Sequence, residues 1–466
     1  MGEFPVGRAC AQRAGRWRAK VAAVLLTLFA SLGGCGSVGR SAGSQDSHAP
    51  AQGVLLTGQN SFAEIESNDG FSQANIVPSN GAALIRIDGE VASSVDVDVF
   101  DLGPVAGRSR LHVELSADSE IRGPVALFGP THDLLVVDDA QDFIAGLGGT
   151  FADAEISAPQ SHMFVAVASD GELRGRYTLV IERSSAAAPR PSRPQTAYLN
   201  FEGAQRVQIG GRAPIGFGAF DPGDVLAELE GRRDDFIEAV TAKVAFDFAG
   251  LNVTILNSNH AKGTPTANSS RLGTPKPAGA FATIHIGGRD GALIGLADSV
   301  DEYNTDPGQQ AIVYADGFDG LAPFRPTLDE AAQAMANVIS HELGHLLGLV
   351  HTSDARSIMV QSATWAEAVR DRSFGRFPLD RSVFPVGFED SVQKLVANVG
   401  SAGRSPTSPA PTPAPVSPAP LPTATPAVVV SDSGTLSVGV TAAEARAVQS
   451  ELCLCLCARC LEATGE

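Results

Sequence analysis

"HELGHLLGLVH", residues 341–351, places three of the chain's nine histidines at intervals of four and six. On a helix, residues i and i+4 share a face one turn apart, so His341 and His345 aim two imidazoles at one point. Glu342 falls on the adjacent flank, close enough to hold a water there without being a ligand itself. Gly348 stands where the helix should break, because glycine takes the left-handed backbone that ends a helix and turns the chain. That turn lets His351 swing back as a third ligand. Three neutral histidines with one open position form the donor set of a catalytic zinc centre. Zinc in such a centre lowers the pKa of a water and polarises a carbonyl, and Glu342 moves the proton. A bare His-Glu-x-x-His often arises by accident. Gly348 and His351 at fixed spacing, on a helix predicted independently, make accident a poor account.

The helix is predicted to begin at Leu328, where Thr327-x-x-Glu330 has the form of a capping box and apolar residues recur at helical spacing. Upstream, "AYLNFEG" (197–203) reads as a strand. Residues 225–246 read as a helix with Leu226, Leu229, Phe236, Val240 and Val244 on one face. "LNVTIL" (251–256), "FATIHIGG" (281–288), "LIGLADSV" (293–300) and "QAIVYAD" (310–316) read as strands, and a last helix is expected from near Phe388. That order is expected of an α+β domain over residues 197–400.

The motif matches the metzincin pattern H-E-x-x-H-x-x-G-x-x-H. Eight residues after His351 comes Met359, in "ARSIMV", which resembles the family's Met-turn, an apolar floor under the metal. The short interval is most similar to the matrixin branch. The resemblance implies a mixed twisted sheet behind an active-site helix, a single catalytic Zn2+, and a zinc-dependent endopeptidase acting on protein or peptide substrates. It further implies that Leu296-Ala297, in "GLADS", lies on an edge strand that pairs with an extended peptide. Residues 360–387 would then wall the pocket beside the scissile bond, with Trp365, Phe374, Phe377 and Phe384 either shaping it or serving as core. This chain departs from the family in three ways. No cysteine lies between Cys35 and the motif to latch the zinc, no tyrosine follows Met359, and the structural-zinc histidines of matrixins are not evident. His285 is expected to be a sheet residue. Asp298, Asp301, Asp306, Asp316 and Asp319 either bind calcium or simply face water.

Residues 62–184 alternate in short runs such as "ALIRIDGEV", "SRLHVELSA" and "RYTLVIER", separated by Gly, Asp, Asn and Pro, the pattern of an all-β sandwich. The opening "EIESNDGFSQANIV" and the later "IDGEVASSVDVDVFDLG" resemble the bacterial pre-peptidase C-terminal domain, a jelly-roll-like module attached to secreted proteases. That resemblance implies a possible Ca2+ site at Glu64, Glu66, Asn68, Asp69, Asp96 and Asp98; the alternative is that these are turn residues.

The remaining segments speak of export. Residues 1–34 read as a signal peptide, with Arg8, Arg13, Arg16, Arg18 and Lys20 ahead of the apolar run "VAAVLLTLFASL". That run is shorter than the about 20 residues a membrane span needs. "LGGC" resembles a bacterial lipobox, which implies lipid on Cys35 and anchorage at the membrane of the cell envelope; an ordinary secretory signal is the alternative. Residues 35–61 are expected to be a tether, 185–196 a Pro-rich linker and 401–430 a Pro/Ala/Thr-rich disordered linker. The tail 431–466 carries Cys453, Cys455, Cys457 and Cys460, which suit a soft metal, local disulfides or an inhibitory reach to the zinc; the alternative is a tail without function or one removed by processing. A net charge of −18, with five lysines among 34 basic residues, leaves no basic footprint for nucleic acid. A monomer is expected. The competing functions are an idle, protease-like adhesion protein and a cell-wall peptide hydrolase.

Overall fold

The structure, a computed structural model, describes residues 60–78, 82–117, 124–138, 149–169, 175–185, 190–209, 212–259, 276–290 and 293–403, with the backbone of Val54–Leu56 and Leu452–Cys453. Cys35, Cys455, Cys457 and Cys460, and nearly all of the signal, tether and C-terminal linker, lie outside the described residues. Among those described, no helix is long and apolar enough to cross a membrane.

The N-terminal half consists of two sheets over one core. Six strands run in the order Val54–Leu56, Ser61–Ala63, Leu84–Val91, Gly175–Ser185, Ser109–Ala117, Gly149–Ile156. Five run in the order Asn75–Ile76, Val97–Asp101, Phe164–Ala168, Val125–Phe128, Leu134–Asp138. Alternation decides which side chains meet: Ile85, Ile87, Leu111, Val113, Leu179 and Ile181 of the first sheet join Phe100, Val125, Leu127, Val165 and Val167 of the second. The strands Val125–Phe128 and Phe164–Ala168 are buried at every position, so the second sheet is covered on its other face too. That face, with Val99, Ala126, Phe128 and Phe164, packs on Val350, Leu379 and Phe384 of the C-terminal half. The contact is reinforced by Arg376, whose Nε donates to Asp133 at 2.6 Å, and by the Phe388 amide donating to the His132 carbonyl at 3.1 Å. The proline-rich segment is anchored as well. Arg190 makes two hydrogen bonds to Glu155 and lies 4.6 Å over the Tyr303 ring.

The C-terminal half is built on a five-stranded sheet, in the order Val253–Asn257, Gln195–Asn200, Ala282–Ile286, Gln310–Val313, Gly295–Ala297. The first four are parallel and the last is antiparallel at one edge. Ala297, Ala311 and Val313 face a core shared with the helices Arg233–Asp247 and Leu328–Leu346. Leu296 and Ile312, one residue out of phase, face a hairpin of Ala204–Val207 and Ile215–Phe217.

The structure departs from the sequence reading in several places. The helix expected over 225–246 is two 3-10 turns, Pro222–Asp224 and Ala227–Leu229, followed by Arg233–Asp247. Gly231, at φ 77°, separates the second turn from the helix, although Leu226 and Leu229 are still buried. The last helix spans Ser391–Val399, because the Asp390 side chain accepts from the Gln393 amide and starts it there. Residues 388–390 instead pair as a strand with Arg376–Pro378. The hairpins and the 3-10 segment Ala315–Phe324 were not foreseen, being too short to show a period.

Candidate metal centre

Thr327 caps its helix as expected, its hydroxyl accepting from Glu330 N at 3.3 Å while Glu330 Oε2 accepts from Thr327 N at 2.8 Å. The helix is buried from Ala331 to Leu346. It ends tightly: the amides of Leu347 and Leu349 both donate to the Gly344 carbonyl, and that of Gly348 to His345. Gly348 lies at φ 94°, and a Cβ there would stand 2.8 Å from Asn398 Nδ2, from Asp301 O and from Glu302 Cα. Asn398 itself donates to the carbonyls of Leu347 and Glu302, both at 2.8 Å, so the C-terminal helix clamps the break. Any side chain at 348 is excluded both by φ and by space.

The break brings His351 back. Nε2 of His345 lies 3.1 Å from Nε2 of His341 and 3.1 Å from Nε2 of His351. Nδ1 of His341 faces the Ile358 carbonyl at 2.8 Å, and Nδ1 of His345 faces that of Leu349 at 2.9 Å. A carbonyl only accepts, so each Nδ1 is the protonated nitrogen and each Nε2 keeps its lone pair. Two such lone pairs face each other with no proton between them, which is unfavourable unless a cation sits among them. Nitrogens ~2.0–2.1 Å from a tetrahedral zinc stand about 3.3 Å apart, close to the separations here. Burial keeps all three imidazoles neutral, the ligating form: it holds His341 and His351 well below the ordinary histidine range and His345 at about 4. The donor set therefore fits zinc.

Glu342 is completely buried and packs against the edge strand, where a Cβ on Gly295 would lie 2.1 Å from Glu342 Oε1. Met359 is also fully buried and rests on Gly344, where a Cβ would come within 2.5 Å of Met359 Sδ. Sequence reasoning missed both glycines. Gly344 lies inside the motif and Gly295 immediately before Leu296, but only the fold reveals what each one faces.

The other expected residues divide. Leu296 and Ala297 do lie on the edge strand, yet both side chains are wholly buried, so only backbone is presented at the edge. Trp365 packs on Phe318 and Gly320, Phe374 on Phe248, and Phe384 on Phe128; these three belong to cores, while Phe377 lies under Arg356. His285 is held between Asn200 and Gln310 as a sheet residue. Asp298, Asp301 and Asp306 accept backbone amides of their own loops, and Asp319 pairs with Arg289. Leu452–Cys453 pairs antiparallel with Ser362–Ala363, a few residues beyond Met359.

Of the six acidic-opening residues, Glu64, Glu66 and Asp98 bring ligand oxygens within 4.8 Å of one another. Asn68 is buried beside them, its amide donating to Glu64 Oε1 at 3.2 Å. Asp96 accepts from the Ala92 amide, and Asp69 is exposed. Tyr177 donates to Asp98 Oδ2 at 2.7 Å, but Asp98 Oδ1 and Asn68 Oδ1 are buried with no hydrogen-bond partner among the described residues. Burial and the nearby Glu64 push the Glu66 carboxyl up to about 7 and raise Asp98 well above the carboxylate range.

A matrixin family model matches residues 261–372. No curated protein sequence matches the chain. Among solved structures, the chain is similar to a periplasmic inhibitor of g-type lysozyme from Aeromonas hydrophila, at 12% identity over 22% of this chain and 90% of that one, TM-score 0.18. It is also similar to an archaemetzincin from Methanopyrus kandleri, at 18% identity over 40% of this chain and 91% of that one, TM-score 0.21. Likenesses this weak carry no argument. The match to the matrixin family, placed on the histidine geometry, shows that this chain contains a metzincin-like domain.

Proposed function

We propose that this protein is a zinc-dependent endopeptidase, exported and held at the bacterial cell envelope by lipid on Cys35. The observation that carries the catalytic reading is the convergence of three buried, neutral imidazoles on one point, with the Nε2 lone pairs of His341 and His345 turned inward. His341, His345 and His351 would hold the ion, which supplies a Lewis acid for the scissile carbonyl and for water. Glu342 takes the water's proton on its carboxylate and returns it to the leaving amine. The edge strand Gly295–Ala297 aligns an extended peptide through backbone hydrogen bonds, which favours protein substrates over cell-wall peptides. An idle domain would have no need of the Gly295 that accommodates Glu342. The test is zinc content of the full chain together with casein cleavage. One zinc per chain and cleavage abolished by chelator and restored by zinc are expected; folded protein that binds no zinc would sink the reading.

The cluster at Glu64, Glu66 and Asp98 supports a Ca2+ site in the N-terminal half, with Asn68 supplying a neutral oxygen. Its pH dependence follows from the raised carboxyls. Folded-state values above the unfolded ones mean that the ion-free folded state holds extra protons, so its stability falls as pH rises from 4.5 to about 7. Calcium holds the carboxylates ionised and should flatten that decline. Thermal melts of the full chain from pH 5 to 8, with millimolar calcium and with chelator, should diverge as pH rises, and Asp98→Asn should remove the divergence. Curves that coincide at every pH would mean that these acids bind no calcium.

A further inference from the structure

Among the three histidines, His351 is the one whose ring no backbone carbonyl orients. Nδ1 of His341 and Nδ1 of His345 each face a carbonyl, whereas among the described residues none faces Nδ1 of His351. Its imidazole therefore depends more on where its own backbone stands. That backbone is fastened on both sides. The His351 carbonyl accepts from Asp380 N at 3.1 Å, Ser353 N donates to the Pro378 carbonyl at 3.1 Å, and Thr352 N donates to that of Met359 at 2.8 Å. Val350, the residue just before the ligand, is held differently: its amide faces a side chain, the carboxylate of Glu389.

Glu389 lies opposite Phe377 in the hairpin of Arg376–Pro378 and Phe388–Asp390, the same hairpin that supplies Pro378. It is completely buried, and Lys394 donates to its Oε2 at 2.8 Å. Burial pushes its carboxyl up, while Lys394 and the Val350 amide pull it back. An ion pair so deeply buried is weak evidence for stability, because well-packed apolar residues of similar volume often hold a fold as well. What the pair does offer is a fixed charge directed at one amide. The placement of Lys394 supports that reading. Asn398, one helical turn further on, donates to the Leu347 carbonyl on the near side of the Gly348 break, and Lys394 reaches Val350 on the far side through Glu389. The C-terminal helix thus holds both ends of the short loop that returns His351.

We propose that Glu389 is a positioning residue for the metal centre: its carboxylate, held by Lys394, fixes the Val350 amide and through it the place of His351 beside His341 and His345. This rests on the zinc reading above and not on the protease activity. The test uses the full chain loaded with Co2+, whose visible absorption reports the geometry of its ligands, together with zinc affinity measured by competition with a chelator. Two double variants are compared, Glu389→Gln with Lys394→Met and Glu389→Met with Lys394→Met. Both remove the ion pair, but only the first leaves an oxygen for the Val350 amide. The first should keep the cobalt spectrum and zinc affinity of the unaltered protein, and the second should shift the spectrum and weaken zinc by about tenfold or more. Glu389→Asp, a milder change that keeps the charge and shortens its reach, should shift the spectrum in the same direction, and it reads the same effect if Glu389→Met does not fold. Folded variants with unaltered spectrum and zinc affinity would overturn the inference. So would equal losses in both double variants, which would make the ion pair a support of the fold only. Unaltered protein that binds neither metal would overturn the zinc reading, and this inference with it.

Discussion

Glu342→Gln is expected to leave zinc content and melting temperature unchanged while casein hydrolysis falls by roughly three orders of magnitude, within the range general acid–base catalysis contributes. The substitution is nearly isosteric, which matters here because Glu342 is fully buried and its carboxylate abuts Gly295. A larger or differently shaped side chain would displace the edge strand and confuse a lost base with a lost substrate track. The amide keeps the shape but has no basic oxygen to take the water's proton. Zinc binding should survive because the imidazoles of His341 and His345 are held by the backbone carbonyls of Ile358 and Leu349. A rate loss of this size corresponds to about 4 kcal/mol in the barrier. The control is Gly295→Ala, which leaves the carboxylate in the sequence and places a methyl group against it; activity should fall there too, with zinc retained. If Glu342→Gln cleaved casein at close to the unaltered rate, another group would be the base.

Much of the centre was legible in the sequence because its geometry is local. His341 and His345 are related by one helical turn, and Gly348 and His351 follow within six residues, so the helical period and one glycine suffice to bring the set together. Met359 was legible from its distance to His351. Gly295 and Gly344 were not, since what matters about each is a contact with a residue of another segment. The same rule sorts the N-terminal half. The strand Ser109–Ala117 could be read to the residue from its alternation, whereas Val97–Asp101 is buried at four of its five positions and has no period to read. The proposed calcium ligands were half legible. Asp96 and Asp69 belong to the same motif as Glu64 and Asp98, but the turns direct them elsewhere. The helix expected over 225–246 forms from Arg233, and its start was placed too early because Leu226 and Leu229 are buried from 3-10 turns as readily as from a helix, burial being the only feature the pattern reported.

Phe128→Ala is expected to lower the melting temperature of the whole described unit, and not of its N-terminal half alone. The ring is completely buried between Phe71 at 5.1 Å and Phe384 at 5.5 Å, and Gly387 has no side chain because the ring fills that space. Removing it leaves a cavity on the face where the five-stranded sheet meets the catalytic half, at a cost of ~3–5 kcal/mol. At ~2–4 °C per kcal/mol for a domain of this size, the midpoint should fall by roughly 6–20 °C. The effect should reach the metal. Val350 belongs to the same apolar cluster and immediately precedes His351, so loosening the cluster loosens the return of the third histidine. Zinc should therefore be stripped from the variant at lower chelator concentration than from the unaltered protein. Two separate transitions, with zinc retention unchanged, would mean that the β half is a detachable neighbour of the catalytic half. A single lowered transition with weakened zinc would mean that the β half is part of what holds the site in place, and that a catalytic half prepared without it would have an exposed apolar face beside its own metal ligands.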